Sequence, residues 1–243
     1  MHPIICTIGP FTIYSYGLML VLAFSVSFYL IQDEARRQKQ NSGYLFNLLF
    51  FSFICGILGA RIFYIFANIQ FYLNHPAEMI MLQHGGLSWF GGLLFGGASA
   101  AMYLKKKKLP ILKVLDLIAP FLALAHAIGR IGCLLNGCCY GRESLCGIYF
   151  PAHDAVLIPT QLYSSLILIF IYIVLRLLQD RPRPRGEIFF TYLFLYSLKR
   201  FFIEFWRADS TRGFLGLTLF QAISIAVFII SIAALIRIKR FKS

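Results

Sequence analysis

Seven apolar segments, each long enough to cross a bilayer, constrain this chain more than any other feature. The sequence is 59% hydrophobic and only 14% charged, whereas soluble domains carry roughly one-quarter charged residues. We therefore expect an all-α integral membrane protein of about seven transmembrane helices, folded as a single polytopic domain over residues 1–243. The expected spans are 12–32, 44–69, 86–104, 110–133, 159–178, 187–206 and 215–237.

Most of the basic residues flank these spans and predict their orientation. Because Lys and Arg collect on the cytoplasmic side, the N-terminus is expected outside and the C-terminus in the cytoplasm. This distribution explains the formal charge of +13 without nucleic-acid binding. Sixteen of the 23 basic residues form four such clusters: Arg36, Arg37, Lys39; Lys105, Lys106, Lys107, Lys108, Lys113; Arg176, Arg181, Arg183, Arg185; and Arg237, Lys239, Arg240, Lys242.

The other seven basic residues lie at the opposite ends of the spans, toward the extracytoplasmic face. A cation inside or beside hydrocarbon needs an anion or water, so an anionic ligand is the leading explanation. An alternative for the sixth span is an internally neutralised ladder, because its charged residues share one helical stripe. The seven are Arg61, Arg130, Arg142, Lys199, Arg200, Arg207 and Arg212, and the stripe is Tyr196, Arg200, Glu204 and Arg207.

Residues 126–141 begin as the end of an apolar helix and break into glycines, cysteines and one asparagine. A membrane helix breaks in this way where protein or a polar cavity covers the freed backbone groups. Arg130 within this segment therefore predicts the rim of a polar site. The predicted helix start at Gly85 and Gly86 would offer free amides to an anion at the same level.

Three other chemistries were compared with this prediction. The spacings of Cys133, Cys138, Cys139 and Cys146 fit no Cys-x-x-Cys ligand pair, so we expect no metal and read the cysteines as small packing residues. No Gly-x-Ser-x-Gly elbow supports a hydrolase. A transporter or binding protein for an anionic lipid or solute is the alternative, but one-sided clustering of the polar residues favours an enzyme acting on a lipid headgroup.

Residues 126–141 resemble the signature of the prolipoprotein diacylglyceryl transferase family. Further similarity runs in order along nearly the whole chain, at residues 16–18, 59–61, 85–88, 91–92, 116–120, 159–163 and 200–207. The resemblance implies transfer of the diacylglyceryl group of phosphatidylglycerol to the lipobox cysteine of a bacterial prolipoprotein, with release of glycerol phosphate. It implies no cofactor, and its expected partners are phosphatidylglycerol, the lipobox peptide and membrane lipids. The protein is expected to be a monomer in the bacterial cytoplasmic (inner) membrane.

The resemblance also implies roles for individual residues. Arg130 occupies the position of the family's phosphatidylglycerol-binding arginine, and Arg200 that of its second essential arginine. The expected catalytic residues are Arg130, Arg200, Tyr196 and Tyr16; the expected substrate-binding residues are Arg130, Arg61, Gly129, Asn136, Gly141, Glu204, Arg207 and His84.

This chain departs from the family pattern at two positions. Phe90 replaces the family's usual histidine, and Cys133 replaces a frequent asparagine. Because Phe90 cannot accept a proton, we expect the positive field of the arginines to favour the substrate thiolate. Tyr196, Tyr16 or His84 would then relay the proton.

Overall fold

The computed structural model describes residues 1–8, 11–40, 42–81, 85–208 and 216–240. They form eight α-helices and two short antiparallel hairpins, with a 3₁₀ turn at Pro76–Met79 between the third and fourth helices. In chain order the elements are β1 (Ile4–Ile8), β2 (Phe11–Tyr14), α1 (Ser15–Arg37), α2 (Gly43–Ala67), α3 (Ile69–Asn74), α4 (Trp89–Lys106), α5 (Ile111–Asn136), β3 (Glu143–Phe150), β4 (Ala155–Leu157), α6 (Thr160–Gln179), α7 (Glu187–Glu204) and α8 (Leu219–Arg240).

Five of these helices are long and apolar enough to cross a membrane: α1, α2, α5, α6 and α8. The prediction of a mostly helical, multi-pass membrane protein is confirmed. Each of the other two expected spans forms a helix of 18 residues, α4 and α7. Helix α7 is too charged to qualify by composition, because it carries Glu187, Lys199, Arg200 and Glu204. Seven spans and their orientation stay predictions.

The two hairpins were not predicted, and they add four short strands to a protein that is otherwise helical. Strand β1 pairs with β2 immediately before α1, and β3 pairs with β4 between α5 and α6. The β3–β4 hairpin lies in a stretch that the hydropathy pattern treats as a connection, whereas β2 takes up residues 12–14, the start of the first expected span. Their strands are three to eight residues long, too short to cross a bilayer as strands.

The chain divides into two compact units, and residues 32–111 form the smaller one. Its helices α2 and α4 approach closely because glycines face each other. A Cβ at Gly59 would lie 2.8 Å from the Gly91 carbonyl oxygen, and a Cβ at Gly91 would lie 2.7 Å from the Phe63 Cβ. Small residues at such contacts allow two membrane helices to pack backbone to backbone. Gly96 makes a similar approach, since its Cβ would lie 3.1 Å from the Ser52 carbonyl oxygen, whereas a Cβ at Gly97 would meet no atom within 4 Å.

The larger unit comprises residues 1–31 and 112–243, with α5 buried along much of its length. Alanines of α5 pack against leucine and isoleucine side chains of α6 and against the first half of α7. The core cluster is Ala119, Ala123, Ala127, Leu168, Ile171, Leu175, Ile188 and Tyr192.

A carboxylate on α5 fixes the start of α7. Asp116 Oδ1 accepts a hydrogen bond from the Phe189 backbone N–H at 2.9 Å, and Oδ2 accepts one from the Gly186 N–H. These donors belong to the first turn of a helix, where backbone N–H groups lack intrahelical partners. Asp116 therefore sets how α7 lies against α5, and with it the position of the charged residues on α7.

Candidate functional site

Arg130 lies in the last two turns of α5 and is only partly exposed. Its guanidinium forms no hydrogen bond and no ion pair with the residues that the structure describes. It is close enough to interact electrostatically with Tyr196, Arg207 and the thiols of Cys133 and Cys139. A partly buried guanidinium with five uncommitted N–H donors is costly unless an anion or water receives them.

Space is open at Gly129, the residue before Arg130 in the chain. A Cβ added at Gly129 would meet no atom within 4 Å, in contrast to Gly132 on the same helix, where it would lie 2.9 Å from the Met19 Cβ. Helical glycines that permit packing meet a neighbour at once, as Gly132 does. The prediction that Gly129 serves a ligand is therefore compatible with the structure, and its absent side chain serves no helix contact.

Helix α7 brings a second group of charges to the site. Arg200 Nη2 lies 3.0 Å from Glu204 Oε2, and its guanidinium stacks 4.3 Å above the Phe220 ring. Thr218 Oγ1 donates a hydrogen bond to Glu204 Oε1 at 3.2 Å. The first step of the charge ladder considered from the sequence is therefore present. Glu204 neutralises and orients Arg200 rather than standing free for a ligand.

The segment after α7 supplies Arg207 and is tied to the residues after α5. Gly141 and Arg207 form a bridge of antiparallel strands, and the Arg142 N–H donates to the Trp206 carbonyl at 2.8 Å. A Cβ at Gly141 would lie 2.8 Å from the side chains of both Ile158 and Thr160. Gly141 is thus needed for this close chain crossing, which holds Arg207 within electrostatic reach of Arg130.

Two tyrosines complete the cluster. Tyr16, in the first turn of α1, interacts electrostatically with Arg130 and with the thiols of the loop after α5. Tyr196 is within reach of Arg130 and of Arg200. Neither hydroxyl has a hydrogen-bond partner in the described parts of the chain. The structure therefore brings together five of the predicted residues: Tyr16, Arg130, Tyr196, Arg200 and Arg207.

Two further residues of this cluster were not among the predicted site residues, although Lys199 was one of the seven basic residues expected at this level. Lys199 is buried, its ammonium lies 4.6 Å from the centre of the Tyr196 ring, and it interacts with Arg130, Arg200 and Arg207. His126 lies one turn before Arg130, and its Nδ1 is hydrogen-bonded to Tyr192 Oη at 2.9 Å. The four-residue spacing from His126 to Arg130 was the available signal, since such residues share a helix face.

Arg61 has a different environment from Arg130. All five of its N–H groups donate to backbone carbonyls at 2.5–3.2 Å, and its guanidinium lies 5.3 Å from the Tyr72 ring. A direct phosphate contact, as predicted from the sequence, would require this network to open. The acceptors belong to Glu78, Met79, Met81, Gly85 and Gly86. The predicted residues His84 and Arg212 lie outside the described ranges.

Three cysteines meet at the end of α5. Gly137 has φ +74°, its N–H donates to the Leu134 carbonyl, and the Cys138 N–H donates to the Cys133 carbonyl. This pair of bonds is a Schellman motif, which folds the residue after the glycine back over the last helical turn. The sulfurs of Cys133, Cys138 and Cys139 lie within 4.8 Å of one another. Sequence spacing alone had predicted no such group.

Neighbouring groups lower the pKa of one of these thiols, that of Cys139. Hydrogen bonds from Cys133 and Cys138 lower the pKa of the Cys139 thiol, and the guanidinium groups of Arg207 and Arg130 act in the same direction. Asn136, one of the predicted substrate-binding residues, hydrogen-bonds the Cys138 sulfur through its side chain. Asn136 thus belongs to the cysteine cluster.

A surface groove elsewhere in the larger unit is far from this chemistry. It is lined by residues at the start of α5, before α7 and at the end of α8, including Leu112, Arg185 and Arg237. Eighteen residues of helix separate Leu112 from Arg130, about 27 Å at the rise of an α-helix. The groove therefore does not contribute to the arginine cluster.

Residues 3–237 match the protein family described as prolipoprotein diacylglyceryl transferase. A relative from Clostridium tetani, named phosphatidylglycerol–prolipoprotein diacylglyceryl transferase, is 32% identical over 239 residues, covering 96% of each chain. One from Clostridium perfringens, with the same name and the number 2, is 36% identical and covers 89% of this chain and 88% of its own. One from Streptococcus agalactiae, also so named, is 31% identical over 99% of this chain and 97% of its own.

Proposed function

Because this chain belongs to the prolipoprotein diacylglyceryl transferase family, we propose that it transfers the diacylglyceryl group of phosphatidylglycerol to the lipobox cysteine of a bacterial prolipoprotein. The products are a thioether-linked lipoprotein precursor and glycerol phosphate. The observation that carries this proposal is the guanidinium of Arg130, which has neighbouring cations and open space beside it but no protein partner in the described chain.

Arg130 binds the lipid phosphate in this mechanism. The carbon–oxygen bond between the glyceryl carbon and the phosphate breaks during transfer, so negative charge grows on the phosphate oxygen. A guanidinium donates two parallel hydrogen bonds to such an anion. In a partly dehydrated site each donor of this kind lowers the activation free energy by on the order of 2–4 kcal/mol.

Arg200 is the second positive group, and its partner Glu204 fixes its orientation. The 3.0 Å ion pair and the Phe220 ring leave Arg200 one defined position, which a preorganised electrostatic site requires. Arg207 adds positive field around the same point. Because a thiol attacks only as thiolate, this field also favours the nucleophilic form of the peptide cysteine.

Tyr16 and Tyr196 have hydroxyls without described partners, so they are positioned to contact substrate or relay its proton. We place the reaction at the extracytoplasmic face of the bacterial cytoplasmic membrane, catalysed by a monomer. The support for this placement is the distribution of basic residues and the hydropathy of the helices.

The decisive test is a direct assay. Purified protein is incubated with phosphatidylglycerol and a synthetic lipobox peptide, and the peptide is examined by mass spectrometry for a diacylglyceryl increment. We expect the increment with a cysteine peptide and none with the matched serine peptide. Binding of phosphatidylglycerol without any increment would contradict the proposal and support the alternative of an anion-binding membrane protein.

Arg130 variants test the mechanism within that assay. We expect Arg130→Ala to lower turnover by about 10²–10³-fold, the loss typical of one transition-state donor. Arg130→Lys should recover little of it, because a point charge does not replace a planar fork. Arg185→Ala, which removes an exposed arginine outside the cluster, is the control and should retain turnover. Full activity in Arg130→Ala would remove the basis of the mechanism.

A further inference from the structure

The three-cysteine group has the dimensions of a metal site. Tetrahedral zinc binds thiolate sulfur at about 2.3 Å, which places neighbouring sulfurs about 3.8 Å apart. The three sulfurs already lie within 4.8 Å of one another, so rotation of the side chains closes the remaining gap. Soft thiolate donors select Zn²⁺ over harder cations such as Mg²⁺ and Ca²⁺.

Buried polar side chains hold the backbone of this group in place. Thr160 Oγ1 donates to the Cys139 carbonyl and Gln161 Nε2 donates to the Cys138 carbonyl, both at 2.7 Å. Cys139 adopts φ +63°, a left-handed conformation that is unusual for a residue other than glycine. Outer partners of this kind orient metal ligands.

A second observation at the same place is an unsatisfied polar atom. Gln161 is 1% exposed, and its Oε1 has no hydrogen-bond partner within the described ranges. A buried acceptor without a donor is unfavourable by about 1–3 kcal/mol. The same side chain donates to Cys138, so its unpaired end lies beside the cysteine group and can accept a hydrogen bond from an incoming peptide.

The surrounding charge favours an anionic metal complex. Zn²⁺ with three thiolates carries a net charge of −1, and a fourth thiolate makes it −2. Arg130 and Arg207 interact electrostatically with Cys139, and no lysine or arginine can itself be a ligand in its charged form. The cations that would repel a bare Zn²⁺ therefore stabilise the complete thiolate complex.

We propose that Cys133, Cys138 and Cys139 bind Zn²⁺ and leave its fourth position open for the thiolate of the substrate peptide. Three protein ligands with one open position are the arrangement of catalytic zinc, and a thiol that coordinates zinc is deprotonated. This inference rests on the proposed transferase function and departs from the sequence-based expectation of no metal. It supplies the thiol activation that Phe90 cannot provide.

The step balances without a redox reagent. The peptide thiol releases its proton to water as its sulfur binds Zn²⁺. The sulfur then forms a bond to the glyceryl carbon of phosphatidylglycerol, and the carbon–oxygen bond to the phosphate breaks. Its electron pair leaves on the glycerol phosphate, toward the arginines. The neutral thioether is a weaker ligand than a thiolate and dissociates.

Metal content of the purified full-length protein is the first test. After expression with zinc and purification under reducing conditions, we expect about one Zn²⁺ per chain. Cys133→Ser, Cys138→Ser and Cys139→Ser should each lose most of it, whereas Cys146→Ser, which changes an exposed cysteine of β3, should keep it. Zinc below a tenth of the chain concentration, or equal zinc in all four variants, would overturn the site.

The open position is tested with Co²⁺ in place of Zn²⁺. The cobalt spectrum reports the number of sulfur ligands, so it should change when the cysteine lipobox peptide is added and stay unchanged with the serine peptide. An identical spectrum with both peptides would overturn substrate coordination.

The transfer assay separates this inference from the proposed function. Normal diacylglyceryl transfer by zinc-free protein and by the three cysteine variants would refute the zinc mechanism and leave the transferase intact. Stoichiometric zinc with no transfer to any lipobox peptide would refute the transferase instead. A disulfide between two of the three cysteines that persists under reducing conditions, detected by mass, would also overturn the metal site.

Discussion

Two arginines that the sequence placed in the same role differ in the partners of their guanidinium groups. Arg61 donates every N–H to a backbone carbonyl of residues 78–81 or 85–86, whereas Arg130 has no partner among the described residues. Carbonyl acceptors without donors would be costly in an apolar setting, so Arg61 acts as a clamp that binds these carbonyls. The same residue type thus stabilises the fold at one position and keeps its N–H donors uncommitted at the other.

The clamp predicts a stability phenotype for Arg61. Arg61→Met should destabilise the protein by about 2–4 kcal/mol, because five backbone carbonyls lose the charged donor of a buried arginine. Thermal unfolding in detergent measures this, and the transfer rate per folded molecule should fall much less than in Arg130→Ala. Unchanged stability together with a raised KM for phosphatidylglycerol would instead restore Arg61 to the ligand site.

For substitutions at Gly129 we expect the opposite combination of effects, namely normal folding and weaker binding of phosphatidylglycerol. Gly129→Ala should fold normally and gain up to about 1 kcal/mol of stability, because alanine is the better helix former and its Cβ meets open space. Gly129→Leu should also fold but raise the KM for phosphatidylglycerol by about tenfold, since the side chain occupies space beside Arg130.

Gly132→Leu is the matched control for that experiment. Its side chain would overlap Met19 and Tyr16, so we expect it to lower the yield of folded protein. A Gly129→Leu enzyme with wild-type KM would show that the open space beside Arg130 is not used by the lipid.

At the scale of elements, the end of α5 determines where the cysteines go. A C-terminal glycine with positive φ reverses the chain and brings residues five positions apart together. Helix α6 then fixes the reversed segment through Thr160 and Gln161. The Cys133 to Cys138 interval, which fits no ordinary ligand pair when counted along the chain, becomes a contact because of this turn.

Gly137→Ala tests the turn. A Cβ at Gly137 would be 3.5 Å from its nearest neighbour, the Met1 sulfur, so the expected cost of about 1–2 kcal/mol is conformational. We expect a lower thermal midpoint and lower zinc content than in the wild type. Gly97→Ala, at a helical glycine with no neighbour within 4 Å, is the control and should change neither. Equal zinc and stability in both variants would exclude a structural role for the turn.

At the scale of the whole molecule, topology is the open prediction. Cys6 and Cys146 are exposed and lie in connections expected outside. In intact cells both should react with a membrane-impermeant maleimide. Gln38→Cys, in a Cys6→Ser and Cys146→Ser background, should react only after permeabilisation. The reverse labelling pattern would overturn the assigned orientation and the extracytoplasmic active site.

The sequence by itself determined the class of protein, the approximate positions of the long helices and the segment around Arg130. Hydropathy and charge are sums over residues that are neighbours in the sequence, so both patterns can be evaluated without knowledge of tertiary contacts. The family resemblance then indicated Arg130, Arg200 and Tyr196, and the structure brings these three together.

Only the tertiary structure decided which polar groups have partners. It gave Arg61 and Arg130 different partners and chose the Arg200–Glu204 ion pair, which the sequence had left as an alternative. It also placed Lys199 and His126 beside the arginines and brought three thiols together. Hydrogen bonds and ligand groups depend on distances between residues far apart in the chain, set by turns and helix contacts. Residue spacing does not encode those distances, because one left-handed glycine can turn a five-residue interval into a contact.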